Sequence, residues 1–233
     1  MGAGPCRAGR TAIVFSGGDP PAADVRELLP ADAYVIAADS GLDHATTWCV
    51  AVDHVVGDFD SVKPATLADA EAGGARVERH PTAKDATDLE LALDAAHSVA
   101  DRIVVVGGSA GRLDHLLGTA LLLGRAAYAD SVVTAHLGPA TLRVVRTAAT
   151  LAGVPGELLS LLPLHGPAHG VVTSGLRFPL RAETLHPGSS RGISNEFIEP
   201  HAEVRLTSGV LLAVQPGPEM PTPQPFHPQL EES

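Results

Sequence analysis

From residue 11 to residue 137 short β-rich runs alternate with helix-like stretches, and this rhythm constrains the fold more than any other feature. The runs are residues 11–15, 33–38, 54–56, 75–78, 102–106 and 131–137. Between them lie helix-like stretches at residues 23–29, 42–49, 64–72, 87–100 and 112–127. A strand followed each time by a helix predicts a parallel sheet covered on both faces, a Rossmann-like α/β domain. The stretch at 87 opens with a capping box, Thr87 with Glu90 three residues on. The next one carries Leu113, Leu116, Leu117 and Leu121 on one side, which predicts a core-facing stripe.

After Gly138-Pro139 the texture changes. Residues 141–146, 157–163, 170–173, 202–206 and 210–214 are short β-rich runs separated by Gly and Pro, with no helical period. They predict a small all-β domain, so the expected division is 11–138, α/β, and 139–215, a β-sandwich. Residues 216–233 form a Pro-rich tail, read as an unpacked extension, and residues 1–10 are read as irregular.

Charge narrows the partners. The net charge is −11 and the only lysines are Lys63 and Lys84, so no basic patch is available for nucleic acid. Cys6 and Cys49 give neither a disulfide framework nor metal-ligand spacing, which points to a reducing cytoplasm. No apolar run is long enough for a membrane span, and residues 11–15 are too short for a signal peptide.

The chemistry-bearing residues fall just beyond the runs. In an open α/β sheet, ligands bind outside the carboxyl ends of the strands. Asp39-Ser40-Gly41 follows the second run and Gly57-Asp58-Phe59-Asp60-Ser61 the third. Lys84-Asp85-Ala86-Thr87-Asp88 opens the helix after the fourth, and Gly107-Gly108-Ser109-Ala110-Gly111-Arg112-Leu113-Asp114-His115 follows the fifth. In extended backbone Asp58 and Asp60 would face one way, and a hard divalent cation such as Mg²⁺ would offset their repulsion. The other reading is an Asp-rich turn. The glycine-rich loop reads either as a tight connection or as backbone N–H groups offered to phosphate, with Arg112 as a bidentate partner. It is not a Walker A, and Ser16-Gly17-Gly18-Asp19, followed by Pro20-Pro21, reads as a turn.

Taken in order, these motifs resemble the thiamine pyrophosphokinase (thiamine diphosphokinase) family. Ser160-Leu161-Leu162-Pro163-Leu164, Gly175-Leu176, Pro179-Leu180 and Gly192-Ile193-Ser194-Asn195-Glu196-Phe197 extend the resemblance into the second domain, to about residue 215. It implies an enzyme that moves pyrophosphate from ATP to the hydroxyl of thiamine, leaving AMP. It also implies a homodimer, with thiamine bound where domains of two subunits meet. Asp58, Asp60 and Asp88 match the family's Mg²⁺ carboxylates. Asp39, Gly41, Ser61, Lys84, Thr87, Gly107, Gly108 and Arg112 match positions around the nucleotide. Asp114, Ser194 and Asn195 match positions near thiamine. Asp88 and Asp114 are both open as the proton acceptor. Some relatives stack a C-terminal-domain Trp on the substrate; the only Trp here is Trp48, in the first domain, which leaves Phe197 as the candidate. The alternatives are a pyrophosphokinase for another alcohol, such as a hydroxymethylpterin, and a non-catalytic thiamine or nucleotide sensor.

Overall fold

β1 (Thr11–Phe15) shows why the first half folds as it does: four of its five residues are buried, two on each face. Ala12 and Val14 join one apolar cluster, while Ile13 and Phe15 join another on the opposite face. The computed structural model of the chain describes residues 7–109 and 111–217.

The strands that follow are β2 (Tyr34–Ala38), β3 (His54–Gly57), β4 (Arg76–Arg79), β5 (Arg102–Gly107) and β6 (Val132–Leu137). All pair in parallel with β1 or with one another, in the order β6-β5-β1-β2-β3-β4. The crossovers are α1 (Gly41–Thr47), α2 (Pro64–Ala72), α3 (Asp88–Val99) and α4 (Leu113–Leu123). α3 buries Ala92, Leu93 and Ala96 on one face of the sheet. α1 and α2 place Leu42, Ala45 and Leu67 on the other. The stretch from Ala23 to Leu28 is 3₁₀ helix.

β7 (Ala140–Val145) turns back antiparallel on β6 and opens the second half. β8 (Ala148–Ala152), β9 (Leu158–Pro163), β10 (Ala168–Ser174), β11 (Arg181–Leu185), β12 (Asn195–Glu196), β13 (His201–Arg205) and β14 (Leu211–Gln215) follow. The chain folds into a mixed parallel sheet with helices, followed by a sandwich rich in antiparallel strands. One ten-stranded sheet, β12-β9-β14-β7-β6-β5-β1-β2-β3-β4, runs through both halves. A four-stranded sheet, β11-β10-β13-β8, lies over its β end. Leu211 and Ala213 of β14 point into the sandwich core, and Leu212 points into the α/β core.

Two expectations are corrected. Leu113, Leu117 and Leu121 do not face the core: they are 66%, 57% and 52% exposed. α4 is seated instead through Leu123, with Leu116, Ala120 and Leu122 partly covered. Residues 7–10 are not irregular filler either: Arg7 pairs with Asp130 at 2.9 Å, and Gly9 N–H donates to Asp101. The rest of the N-terminal stretch, and residues 218–233 of the expected tail, lie outside the described residues. β8, β11 and β12 were not anticipated.

Candidate active site

The carboxyl ends of the parallel strands enclose a cleft of about 870 Å³. It opens where the chain order reverses between β5 and β1, the usual ligand position in such sheets. Every polar cluster expected there contributes to its lining: Asp39, Asp58, Asp60, Ser61, Lys84, Thr87, Asp88, Gly108, Arg112 and Asp114. Gly41 and Gly107 sit just behind it, at the first residue of α1 and the last of β5.

The carboxylates meet for a different reason than alternation. β3 ends at Gly57, and Phe59 adopts φ 62°, so residues 58–60 are not extended. Phe59 is held in the core and under the Arg79 guanidinium, 5.0 Å from its ring. The resulting turn lets Asp60 N–H donate to Asp58 Oδ1 at 3.2 Å, while Ser61 Oγ donates to Asp60 Oδ1 at 2.8 Å. It also brings in Asp39, from the end of β2. One oxygen from each of Asp39, Asp58 and Asp60 lies within 4.8 Å of the others. Asp39 has φ 47°, a left-handed conformation that Asp tolerates better than most residues.

The electrostatics follow from this crowding. Burial pushes the Asp39 carboxyl above its ordinary range, and the Asp88, Asp58 and Asp60 charges add to it against a hydrogen bond from Ser40 N–H. Its Oδ1 is shielded from solvent and has no hydrogen-bond partner among the described residues. Asp58 is held low, first by Asp60 N–H and then by Lys84. Lys84 lies 3.5 Å from Asp58 and 3.0 Å from Asp88. Desolvation opposes its charge, but the two carboxylates together hold the ammonium above its usual value. Thr87 caps α3 by accepting from Glu90 N–H at 3.2 Å, which places Asp88 in the first turn.

Across the cleft Arg112 grips Asp114 through two hydrogen bonds, 3.1 and 2.6 Å. That grip holds Asp114 down at about 2. The loop Ser16–Asp19 also lines the cleft, although its sequence read only as a turn. His44 Nε2 meets Gly18 O at 2.9 Å and ties this loop to α1. Gly108 lies so close beneath it that a Cβ there would stand 2.5 Å from Asp19 O. The signal available in the sequence was Gly17-Gly18 directly after a buried strand.

Ser194 and Asn195 do not line this cleft. They belong to the β half, where Asn195 is 4% exposed. Its Oδ1 accepts from Phe178 N–H and Glu196 N–H, and its Nδ2 donates to Phe178 O. Ser194 N–H donates to Ser160 Oγ. Asn195, with Phe178, Arg191, Gly192 and Ile193, lines a second, smaller pocket of about 360 Å³. Phe197 is fully buried in the sandwich core and cannot stack on a substrate. Trp48 packs edge-on against Phe15, 5.7 Å between ring centres.

Comparison with known proteins gives this geometry a family. The model for "Thiamin pyrophosphokinase, catalytic domain" matches residues 25–134. That for "Thiamin pyrophosphokinase, vitamin B1 binding domain" matches residues 144–211. The chain belongs to the thiamin pyrophosphokinase family. It is therefore an enzyme of pyrophosphate transfer. A thiamine pyrophosphokinase of Bacillus subtilis is 27% identical over 170 residues, 68% of this chain and 76% of the relative. A crystal structure of thiamine pyrophosphokinase from Bacillus subtilis matches with a TM-score of 0.78 at 23% identity, covering 90% of this chain and all of the other. The thiamin pyrophosphokinase of Candida albicans matches with a TM-score of 0.69 at 14% identity, over 88% of this chain and 89% of the other. These two structures speak to the fold.

Proposed function

We propose that the cleft brings together ATP and thiamine and transfers pyrophosphate to the thiamine hydroxyl. The observation that carries this is the meeting of Asp39, Asp58 and Asp60 opposite Lys84 and Arg112, in a chain that matches both domains of the family. In the reaction the hydroxyl oxygen forms a bond to the β-phosphorus, the bond from that phosphorus to the α–β bridging oxygen breaks, and AMP leaves. Such chemistry depends on positioning and charge neutralisation.

The three carboxylates fit a hard divalent cation, because Lys84 reaches only Asp58 among them, and the buried Asp39 Oδ1 has no partner among the described residues. Asp39, Asp58 and Asp60 would hold Mg²⁺; Asp88, which the resemblance implied as a ligand beside Asp58 and Asp60, pairs with Lys84 at 3.0 Å and stands next to the cluster. When bound, Mg²⁺ supplies charge neutralisation for the phosphates. Lys84 offers the same cluster a fixed positive charge. Arg112 can exchange Asp114 for phosphate oxygens, a bidentate match of equal geometry. Asp88 is the proton acceptor we favour on position, since it lines the cleft beside the carboxylate cluster and Asp114 lies across the cleft from it.

The division we adopt is 11–138 for nucleotide binding and catalysis and 139–215 for thiamine. Ser194 and Asn195 lie away from the cleft of their own chain, which supports completion of the site by a second subunit in a homodimer. The exposed Leu113, Leu117 and Leu121 supply apolar surface for that contact. Among the described residues no helix is long and apolar enough to cross a membrane, and a cytoplasmic location suits a sequence whose two cysteines give no disulfide framework.

The test is to offer ATP, Mg²⁺ and a panel of alcohols that includes thiamine and a hydroxymethylpterin. Thiamine diphosphate with AMP is the expected outcome. ADP with thiamine monophosphate would overturn the reaction type, preference for the pterin would overturn the substrate, and no turnover would favour a sensor.

A further inference from the structure

α4 forms one wall of the cleft, yet it is lightly seated. Leu123 is its one buried residue, while Asp114, His115, Leu116 and Thr119 face the cleft. Its carboxyl end is fixed by the β half of the chain. Arg146, just after β7, donates through Nη2 to Gly124 O at 3.1 Å and Arg125 O at 2.9 Å. His165 Nε2 reaches Leu121 O at 3.0 Å. Gly124 lets the helix end close on this side, since a Cβ there would stand 2.5 Å from Leu164 Cδ1.

Gly124 O is one of the carbonyls that a helix end leaves without a backbone donor, at the negative end of its dipole, while Leu121 O and Arg125 O also accept from Gly124 N–H and Tyr128 N–H. No carboxylate pairs with Arg146 among the described residues, and its Nε is buried without a partner. Burial pulls the guanidinium below its ordinary value. A half-buried cation without a counter-charge carries a desolvation cost, which the carbonyls at the carboxyl end of α4 offset. The dependence runs both ways: the helix end satisfies the guanidinium, and the guanidinium fixes the helix end.

We infer that Arg146 and His165 are positioning residues, through which the β half sets the tilt of α4 and hence the distance from its cleft face to the Asp39–Asp58–Asp60 carboxylates. The inference rests on the reading of the cleft as the place where ATP and thiamine react.

The experiment compares the full chain with Arg146→Met, Arg146→Lys and His165→Ala by amide hydrogen exchange and by steady-state kinetics. Arg146→Met should speed exchange across residues 113–123 by roughly tenfold, the loss of a charged hydrogen bond, and leave α3 unchanged. Its kcat should fall about tenfold, with Arg146→Lys recovering most of both effects. His165 is exposed, so His165→Ala keeps the fold and should show a smaller change of the same kind should Arg146→Met fail to fold. Unchanged exchange in α4, a uniform rise across the sheet, or faster α4 exchange with kcat intact would overturn the inference. A wild-type chain inactive on ATP and thiamine would instead sink the assigned reaction, and the exchange of α4 would still decide the positioning.

Discussion

Arg112 Nη2 lies 2.6 Å from Asp114 Oδ2, so the cation that follows the glycine loop and the acid on the first turn of α4 neutralise each other on one wall of the cleft. Phosphate oxygens that capture Arg112 would release Asp114 to face a cationic substrate. On the proposed reading, the pair would link occupancy of the nucleotide to affinity for thiamine.

Asp114→Asn should raise the Michaelis constant for thiamine by roughly two- to tenfold, the value of one hydrogen bond, and leave kcat within about threefold. Steady-state kinetics with each substrate varied in turn provides the check. A hundredfold fall in kcat would identify Asp114 as the proton acceptor instead of Asp88.

Asp39→Asn, Asp58→Asn and Asp60→Asn should each lower turnover by about a hundredfold or more, the scale of losing a principal electrostatic stabiliser. The fold should survive, most clearly at position 39, where Asn accepts a left-handed backbone as well as Asp does. Circular dichroism alongside turnover at saturating Mg²⁺ separates the two effects. Near-normal rates would reduce the cluster to a turn.

Asn195→Ala should cost stability before it costs affinity. It removes the side-chain partner of the Phe178 N–H and C=O, a part-buried link to a residue that is itself exposed. Two lost hydrogen bonds cost about 1–3 kcal/mol together, and each kcal/mol is worth roughly 2–4 °C in a chain of this length, so the melting temperature should fall by roughly 2–12 °C. An unchanged melting temperature with a weakened thiamine affinity would return Asn195 to a direct binding role.

Stability should also decline as the solution is acidified. Burial holds the His54 and His136 imidazoles below their ordinary 6.5. The unfolded chain then takes up protons at a higher pH than the native one. The contribution of these residues is complete above 6.5 and is lost as the pH falls through their depressed folded values. Thermal melts between pH 7.5 and 5 should show the decline, and His136→Leu should flatten it. A pH-independent melting temperature over that interval would contradict the assignment.

Much of the α/β half was legible because each strand is short, apolar and followed by a helix. The same pattern puts polar residues at the strand ends, and these residues gather in one cleft. What was hidden has identifiable causes. α4 carries leucines at 113, 116, 117, 121, 122 and 123, so periodicity alone could not say which side faces inward. β8 is alanine-rich and β12 only two residues long, too weak for β propensity to register. Asp39 joined the carboxylates through a left-handed Phe59 that no pattern announces. Asn195 looked like a ligand-facing amide and is a brace for the backbone of Phe178.

The position of β14 has a consequence for how the chain comes together. It is the last described strand in sequence, yet it lies between β7 and β9 and completes the sheet there. During synthesis β7 and β9 would wait with open hydrogen-bonding edges until residue 215 has emerged. The α/β half can collapse on the ribosome, but the sandwich cannot close before that. A truncation ahead of Leu211 would strand two unpaired edges in the middle of the sheet, a template for aggregation rather than a smaller folded enzyme.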